Sequence, residues 1–521
     1  MMSDRQRSKD PCNQKIPGPA DGTGQARPER PFRLELAVVL ATLAVAHLVM
    51  LWRLVPLPTC DLSFYTEPAW QLAQSGRLCG PGSQHLDLTY VQGIYFYPPG
   101  YPLVLAAWLK AFGLSVLSLL AFTHLLHFVF LACLWVILRL RFGCDRWAAA
   151  LAVISVFPFF GHGRPDLTAL VFASLAWLAL PKHAWLAAFL LGWSVLVSPG
   201  YGISSSFVLG SHLLLVKRQW RLLAILWGGG ALTFAGVVAV VLTWQNAWLL
   251  GPVQFIVNSL ERGRELNALP SLTSRYAVVF CLIPLGLLTV LPLVVIVVRA
   301  VRRHELFTTQ LGHAAVSYIL GIVPWFLLNK APLLTQHHYS FLARPVFHGA
   351  LASSGGFMRR LGLAVLLLYT AFNFYLQKDE FLYMIGDLRG GYRAVARLAI
   401  PAAEKLAVDS CYLPLLYSNG QTLNYEIVKV NYWVRYRDRS ARLLGQVPDV
   451  QQCPAEPGAM VVSACTLQRM GLPDPERYEL RLGQWPFRRA SFLGVSFPIP
   501  ADPLEPYVFV RRETPRSPEG R

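Results

Sequence analysis

The sequence predicts a mainly α, polytopic transmembrane bundle of about eleven spans that carries a small mixed α/β domain at its C-terminal end. Three observations predict it. Of 521 residues, 54% are hydrophobic and 15% charged, and mean hydropathy is +0.41, too apolar for a water-soluble chain of this size. Apolar runs approaching the roughly 20 residues that cross a bilayer recur between Leu34 and Leu376. Beyond Gln377 the runs become short and strand-like, separated by Pro, Gly, Asn and Asp.

Residues 1–33 are rich in Pro, Gly and Gln and read as a disordered cytoplasmic tail. The membrane region follows over residues 34–376. Its runs fall near Leu34–Pro56, Leu114–Leu138, Trp147–Phe160, Leu167–Leu180, Trp185–Val197, Ile203–Val216, Leu222–Thr243, Tyr276–Val298, Leu311–Leu328, Pro345–Phe357 and Leu361–Leu376. A loop at 57–99 separates the first run from the second. In the tail, 377–521, a helix is expected around Tyr392 to Ala407, with strands at "EIVKVNYWV", "AMVVSA" and "PYVFV".

Net charge is +18 with a pI near 9.7, yet no zinc-finger spacing or RNA-binding signature accompanies it, so nucleic acid is not the expected partner. The basic residues cluster in alternate turns: Arg139, Arg141 and Arg146; Lys182; Lys217, Arg218 and Arg221; Arg299, Arg302 and Arg303; Arg359 and Arg360. By the positive-inside rule these turns and the basic N-terminal tail face the cytoplasm. The loop at 57–99, the segments near 244–275 and 330–344, and the C-terminal domain then lie on the extracytoplasmic side, with the lipid bilayer as the chain's first partner.

Nine cysteines are present. Cys60 and Cys79 share the first outer loop, where oxidation is permitted, and a bridge between them would rigidify it. No Cys/His spacing reads as structural zinc.

The outer loop begins "CDLSFYTEPAWQLAQSG" and returns to the membrane through "GIYFYPPGYP". An acidic residue stands at the membrane exit, followed by an amphipathic helix-like piece, a Gly turn and an aromatic-Pro-Pro return. This order resembles the GT-C superfamily of polyprenyl-phosphate-sugar-dependent glycosyltransferases, in the branch of protein O-mannosyltransferases and lipid A aminoarabinose transferase. Asp61, Tyr65, Gly76, Tyr97, Pro98, Pro99 and Pro102 look like that loop's motif positions. "GHGRPDLTAL" places Arg164 and Asp166 at the junction of the third and fourth spans, similar to the family's Arg-x-Asp element. "QHHYSFLARPVF" resembles a further outer-loop segment through His338, Tyr339, Arg344 and Pro345.

The resemblance implies a GT-C-like membrane glycosyltransferase, an inverting hexosyl- or pentosyltransferase that moves a sugar from a polyprenyl-phosphate-linked donor to an extracytoplasmic acceptor: glycolipid, polysaccharide or protein. Such chemistry needs a base for the acceptor's proton and cations for the leaving phosphate. Asp61 is the expected base and Asp166 the second catalytic carboxylate. Tyr65, Arg164, Tyr97, Lys330, His337, His338, Tyr339 and Arg344 are the expected substrate-binding residues, Arg344 because a guanidinium can hold phosphate bidentately. Relatives carry two adjacent acidic residues where this chain has Asp61 and Leu62, and aminoarabinose transferases carry Lys where Tyr97 stands. A divalent cation, Mg or Mn, is the one cofactor left open.

Plainer readings stand beside these. Asp61 can cap the helix it begins; Arg164 and Asp166 can mark a solvated turn; Lys330, His337 and His338 can snorkel; Glu67 and Asp87 read as loop surface; His124 and His127 read as bonded to a neighbouring helix. Two other function classes stand: a sensor or assembly protein that binds through its outer tail, for which one or two anchoring spans would suffice, and a polytopic transporter or flippase of a lipid-linked substrate, which calls for inverted halves, broken helices or several charges within the spans. Few such charges occur. The absence of any Asn-x-Ser/Thr acceptor favours a bacterial inner membrane over the endoplasmic reticulum.

Overall fold

The computed structural model describes residues 30–53, 60–79, 93, 95, 98–158, 164–216, 219–256, 291–302, 309–328, 342–376, 405–408, 426–429, 458–463, 474–482, 487–492, 495–500 and 506–512. The chain divides into two compact units, Met1–Val45 and Ala46–Arg521. In the first, the described residues are the start of one apolar helix, with Leu34 and Val38 exposed. Everything that follows lies in the second, apart from that helix's own beginning.

Thirteen α-helices are described: α1 (Arg30–Arg53), α2 (Cys60–Ser75), α3 (Gly100–Phe112), α4 (Val116–Val136), α5 (Arg146–Val156), α6 (Pro165–Ala179), α7 (Ala184–Val197), α8 (Pro199–Ser211), α9 (Trp220–Trp244), α10 (Leu291–Val301), α11 (Gln310–Leu328), α12 (Ala343–Ala352) and α13 (Gly356–Leu376). Short π-helical turns, Ile137–Arg141 and His212–Val216, extend α4 and α8. Among the described residues four helical stretches are long and apolar enough to cross a membrane: Phe32–Trp52, Val116–Arg141, Trp220–Trp244 and Gly356–Phe374. Large apolar side chains such as Leu232, Val240 and Phe357 are exposed along them, as lipid contact requires.

Local sequence explains several helix boundaries. The Ser115 hydroxyl accepts from the Ser118 amide at 3.0 Å and caps α4. Asp145 caps α5, its Oδ1 accepting from the Trp147 and Ala148 amides at 3.0 Å each. Pro165 and Pro199 open α6 and α8, where the missing N–H costs no hydrogen bond.

Some expected spans divide differently. The run expected at Pro345–Phe357 is α12, which stops at Ala352, and a new helix begins at Gly356. The aromatic-Pro-Pro return leads into a short apolar helix, α3, as in the loop that the sequence resembles, and α3 is separate from the span expected at Leu114–Leu138.

Packing is close where helices must meet. At Gly100 the α3 backbone presses on the end of α7: a Cβ there would lie 2.7 Å from the Leu196 carbonyl carbon and 2.8 Å from the Val197 nitrogen. Gly100→Val is therefore expected to destabilise the fold by about 1–3 kcal/mol, read as a lower melting temperature of the purified protein in detergent. An unchanged melting temperature would mean the α3–α7 approach is looser than described.

In the C-terminal region the described residues are strands: β1 (Lys405–Val408), β2 (Glu426–Lys429), β3 (Ala459–Ser463), β4 (Tyr478–Leu482), β5 (Phe487–Phe492), β6 (Val495–Pro500) and β7 (Pro506–Arg511). Five form a mixed sheet of order β2-β1-β3-β7-β4, and β5 and β6 form a separate hairpin. Strand β1 runs parallel to β2 and β3; β7 runs antiparallel to β3 and β4. Met460 pairs with Phe509 at the centre, both buried. The helix expected at Tyr392–Ala407 does not extend to its predicted end, because Lys405–Val408 pair as the strand that joins β2 to β3. Residues 392–404 lie outside the described residues.

Candidate active site

The site is built where the starts of α3, α6 and α8 meet the end of α7. Asp166 is the second residue of α6, in the first turn, where the helix dipole favours a carboxylate. Its side chain is 5% exposed, and Oδ2 lies 3.0 Å from the Nε of Arg164, which is 31% exposed. Asp166 is therefore buried and ion-paired, which sets aside the reading of a solvated turn. On its other oxygen, Oδ1 accepts from the Ser198 hydroxyl at 3.2 Å. The Ser194 hydroxyl donates to the Ala169 carbonyl at 2.8 Å, fixing α7 against α6 one turn further in.

The helices α2 and α3 contribute one tyrosine each. Tyr101, buried at the start of α3, is close enough for its phenol to feel the Asp166 carboxylate. The Tyr65 ring, from α2, meets Tyr101 edge to face at 5.3 Å. Arg164, Asp166 and Ser198 thus form one chain of polar contacts, Tyr65 and Tyr101 form an aromatic pair, and the Tyr101 phenol lies within electrostatic reach of Asp166. The structure brings together Tyr65, Arg164 and Asp166 from the expected set, and adds Tyr101 and Ser198.

Asp61 is the second residue of α2, one helical turn ahead of Tyr65; its side chain lies outside the described residues. So do Tyr97, Lys330, His337, His338 and Tyr339. Arg344 is the second residue of α12, fully buried. Its guanidinium sits 4.3 Å above the Tyr369 ring of α13, a cation–π contact.

Two groups escaped the sequence reading. Glu67, expected at the loop surface, is 3% exposed on α2, beside Thr66 at 1%. Its charge reaches Cys79, whose thiol is pushed up first by burial and then by Glu67. Cys79 is a free thiol, so the bridge to Cys60 is not formed. The second group is His47 of α1, whose Nδ1 lies 3.0 Å from the Nδ1 of His124. With His127, 5.0 Å away between ring centroids, it makes a buried imidazole cluster. A histidine within the first apolar run was the available signal, and His124 does bond to a neighbouring helix as its plainer reading required.

A divalent cation does not fit what surrounds Asp166. Its oxygens face a guanidinium and a hydroxyl donor, not further anionic ligands. Among the described residues no group of three or more His, Cys, Asp or Glu is arranged to hold a metal ion.

No family profile matches the chain, and no curated protein matches it. Among solved structures, the chain is similar to the crystal structure of ArnT from Cupriavidus metallidurans bound to undecaprenyl phosphate, at 15% identity and a TM-score of 0.47, over 91% of this chain and 97% of that one.

Proposed function

We propose that the chain is a membrane glycosyltransferase that moves a sugar from a polyprenyl-phosphate-linked donor to an extracytoplasmic acceptor. The observation that carries this reading is the buried Asp166–Arg164 pair, within electrostatic reach of the Tyr101 phenol that packs edge to face on Tyr65 of α2. Two sequence elements, separated by about a hundred residues, are brought near one another by α2, α3 and α6 of an apolar bundle.

In this reading Asp61, at the start of α2, takes the proton of the acceptor hydroxyl as the new glycosidic bond forms. The bond between the anomeric carbon and the donor phosphate breaks, and the phosphate leaves with that electron pair. Arg164 and Arg344 are the proposed cationic groups for the leaving phosphate, and Asp166 orients Arg164. Tyr97, Lys330, His337, His338 and Tyr339 remain proposed donor contacts from the outer loops. The lipid tail stays in hydrocarbon while its headgroup meets the acceptor at the surface, with α2 and α3 at that boundary and the C-terminal domain on the acceptor's side.

The first test is binding of the lipid. Undecaprenyl phosphate added to the purified protein is expected to raise its melting temperature in a saturable way, by an amount equivalent to about 2.7 kcal/mol at a hundredfold excess over Kd. Equal stabilisation by a dialkyl phosphate lacking the polyprenyl chain would contradict recognition of a polyprenyl donor.

A further inference from the structure

The segment after α9 reaches back to the loop that follows α2 and grips it twice in the same way. Gln245 donates from Nε2 to the Gly76 carbonyl at 2.8 Å, and its Oε1 accepts from the Leu78 amide at 3.1 Å. Gln254 donates from Nε2 to the Gly93 carbonyl at 2.9 Å, and its Oε1 accepts from the Tyr95 amide at 2.7 Å. Each carboxamide thus reads the carbonyl of one residue and the amide of the residue two further on, the pairing a neighbouring strand would offer. Glutamine suits it because one planar group supplies both a donor and an acceptor.

The second grip holds something with unused capacity. Gln254 is buried, and the Tyr95 ring folds back over Gly93, where a Cβ would collide with it. Tyr95 is 6% exposed, and its hydroxyl has no hydrogen-bond partner among the described residues. A buried hydroxyl left unspent is costly unless something else completes it. Burial, and then the neighbouring Cys79, push the Tyr95 phenol up to about 12, so it stays a neutral O–H donor at any ordinary pH. Cys79 also feels the Glu67 carboxylate. A carboxylate in electrostatic reach of Cys79 disfavours an anionic ligand there and suits a neutral hydroxyl oxygen, which can accept from Tyr95.

We propose that Gln254, assisted by Gln245, is a positioning residue that holds Tyr95 as a hydrogen-bond donor to a hydroxyl oxygen of the donor's sugar. The sugar assignment rests on the glycosyltransferase reading above; the two-point grip does not.

The experiment uses the full-length protein in lipid nanodiscs, with wild type, Gln254→Met, Gln254→Glu, Gln245→Met and Tyr95→Phe. Amide hydrogen exchange at Tyr95 is expected to quicken at least tenfold in Gln254→Met, and at Leu78 in Gln245→Met; unchanged exchange at both would overturn the grip whatever the enzyme's activity. In transfer assays Gln254→Met is expected to lose at least tenfold in kcat/KM. Gln254→Glu should recover as pH falls, because the neutral acid again donates to Gly93 and accepts from Tyr95, whereas the carboxylate repels the Gly93 carbonyl. A Gln254→Glu profile that tracks wild type would overturn the positioning role.

Tyr95→Phe separates the ligands. It should raise KM for the sugar donor several-fold and leave the affinity for sugar-free undecaprenyl phosphate unchanged. Equal weakening of both would move the contact to the phosphate and overturn the sugar assignment, as would no effect on either. If wild type transfers no sugar, the glycosyltransferase reading fails, while the exchange data still decide the grip.

Discussion

Asp61→Asn is expected to lower the rate of sugar transfer by about 10²- to 10⁴-fold, the range that a positioned general base contributes. Expression, membrane insertion and binding of undecaprenyl phosphate should be retained. The amide keeps the size of the side chain and its capacity to accept from helix amides, but it cannot take the acceptor's proton. A helix cap predicts something else: Asn caps about as well as Asp, so the variant would melt and work like wild type. The two roles therefore differ by orders of magnitude in rate and by almost nothing in stability.

The second large effect is expected at Asp166. Asp166→Asn keeps an oxygen for the Ser198 hydroxyl but removes the charge that faces Arg164 at 3.0 Å. Transfer should fall by about 10²-fold, comparable to removing one group that stabilises charge in a transition state. Stability should fall too, moderately, because Arg164 is partly exposed and water compensates it. The double variant Arg164→Met with Asp166→Asn separates the causes through its coupling energy. If the pair only supports the fold, the double variant regains both melting temperature and activity. If it acts on the donor, melting temperature recovers and transfer does not.

Much of the helical framework was legible because hydropathy reports length and apolarity directly. Leu222–Thr243 was expected where α9 runs Trp220–Trp244, and Trp185–Val197 where α7 runs Ala184–Val197. Hydropathy does not report where a helix breaks inside an apolar stretch. Thus α12 and α13 divide at Ser353–Gly355, while Gly100–Phe112 is a separate helix and not merely the entrance to the next span. The overlap of an expected helix with β1 has a similar origin: Lys405–Val408 is a strand because two neighbours pair with it, and that is tertiary information.

The site was legible in part for the same reason. Arg164 and Asp166 stand two residues apart around a proline at a helix start, so their pairing is local and visible in sequence. The contact of Tyr65 with Tyr101, and of Asp166 with Ser198, joins residues that only helix packing brings together. Glu67 was misread because α2 buries Tyr65 through Ala69, more than one face of an otherwise amphipathic helix. Gln245 and Gln254 carried no signal at all. A glutamine that binds backbone looks the same in sequence as one that faces water.

The most direct test is transfer of radiolabelled sugar from a panel of polyprenyl-phosphate donors by the purified wild-type protein, with Asp61→Asn alongside. The account predicts donor-dependent transfer by the wild type and its near-complete loss in the variant. Movement of intact donor across a liposome membrane, with no sugar transferred from any donor in the panel, would contradict it and establish the transporter instead.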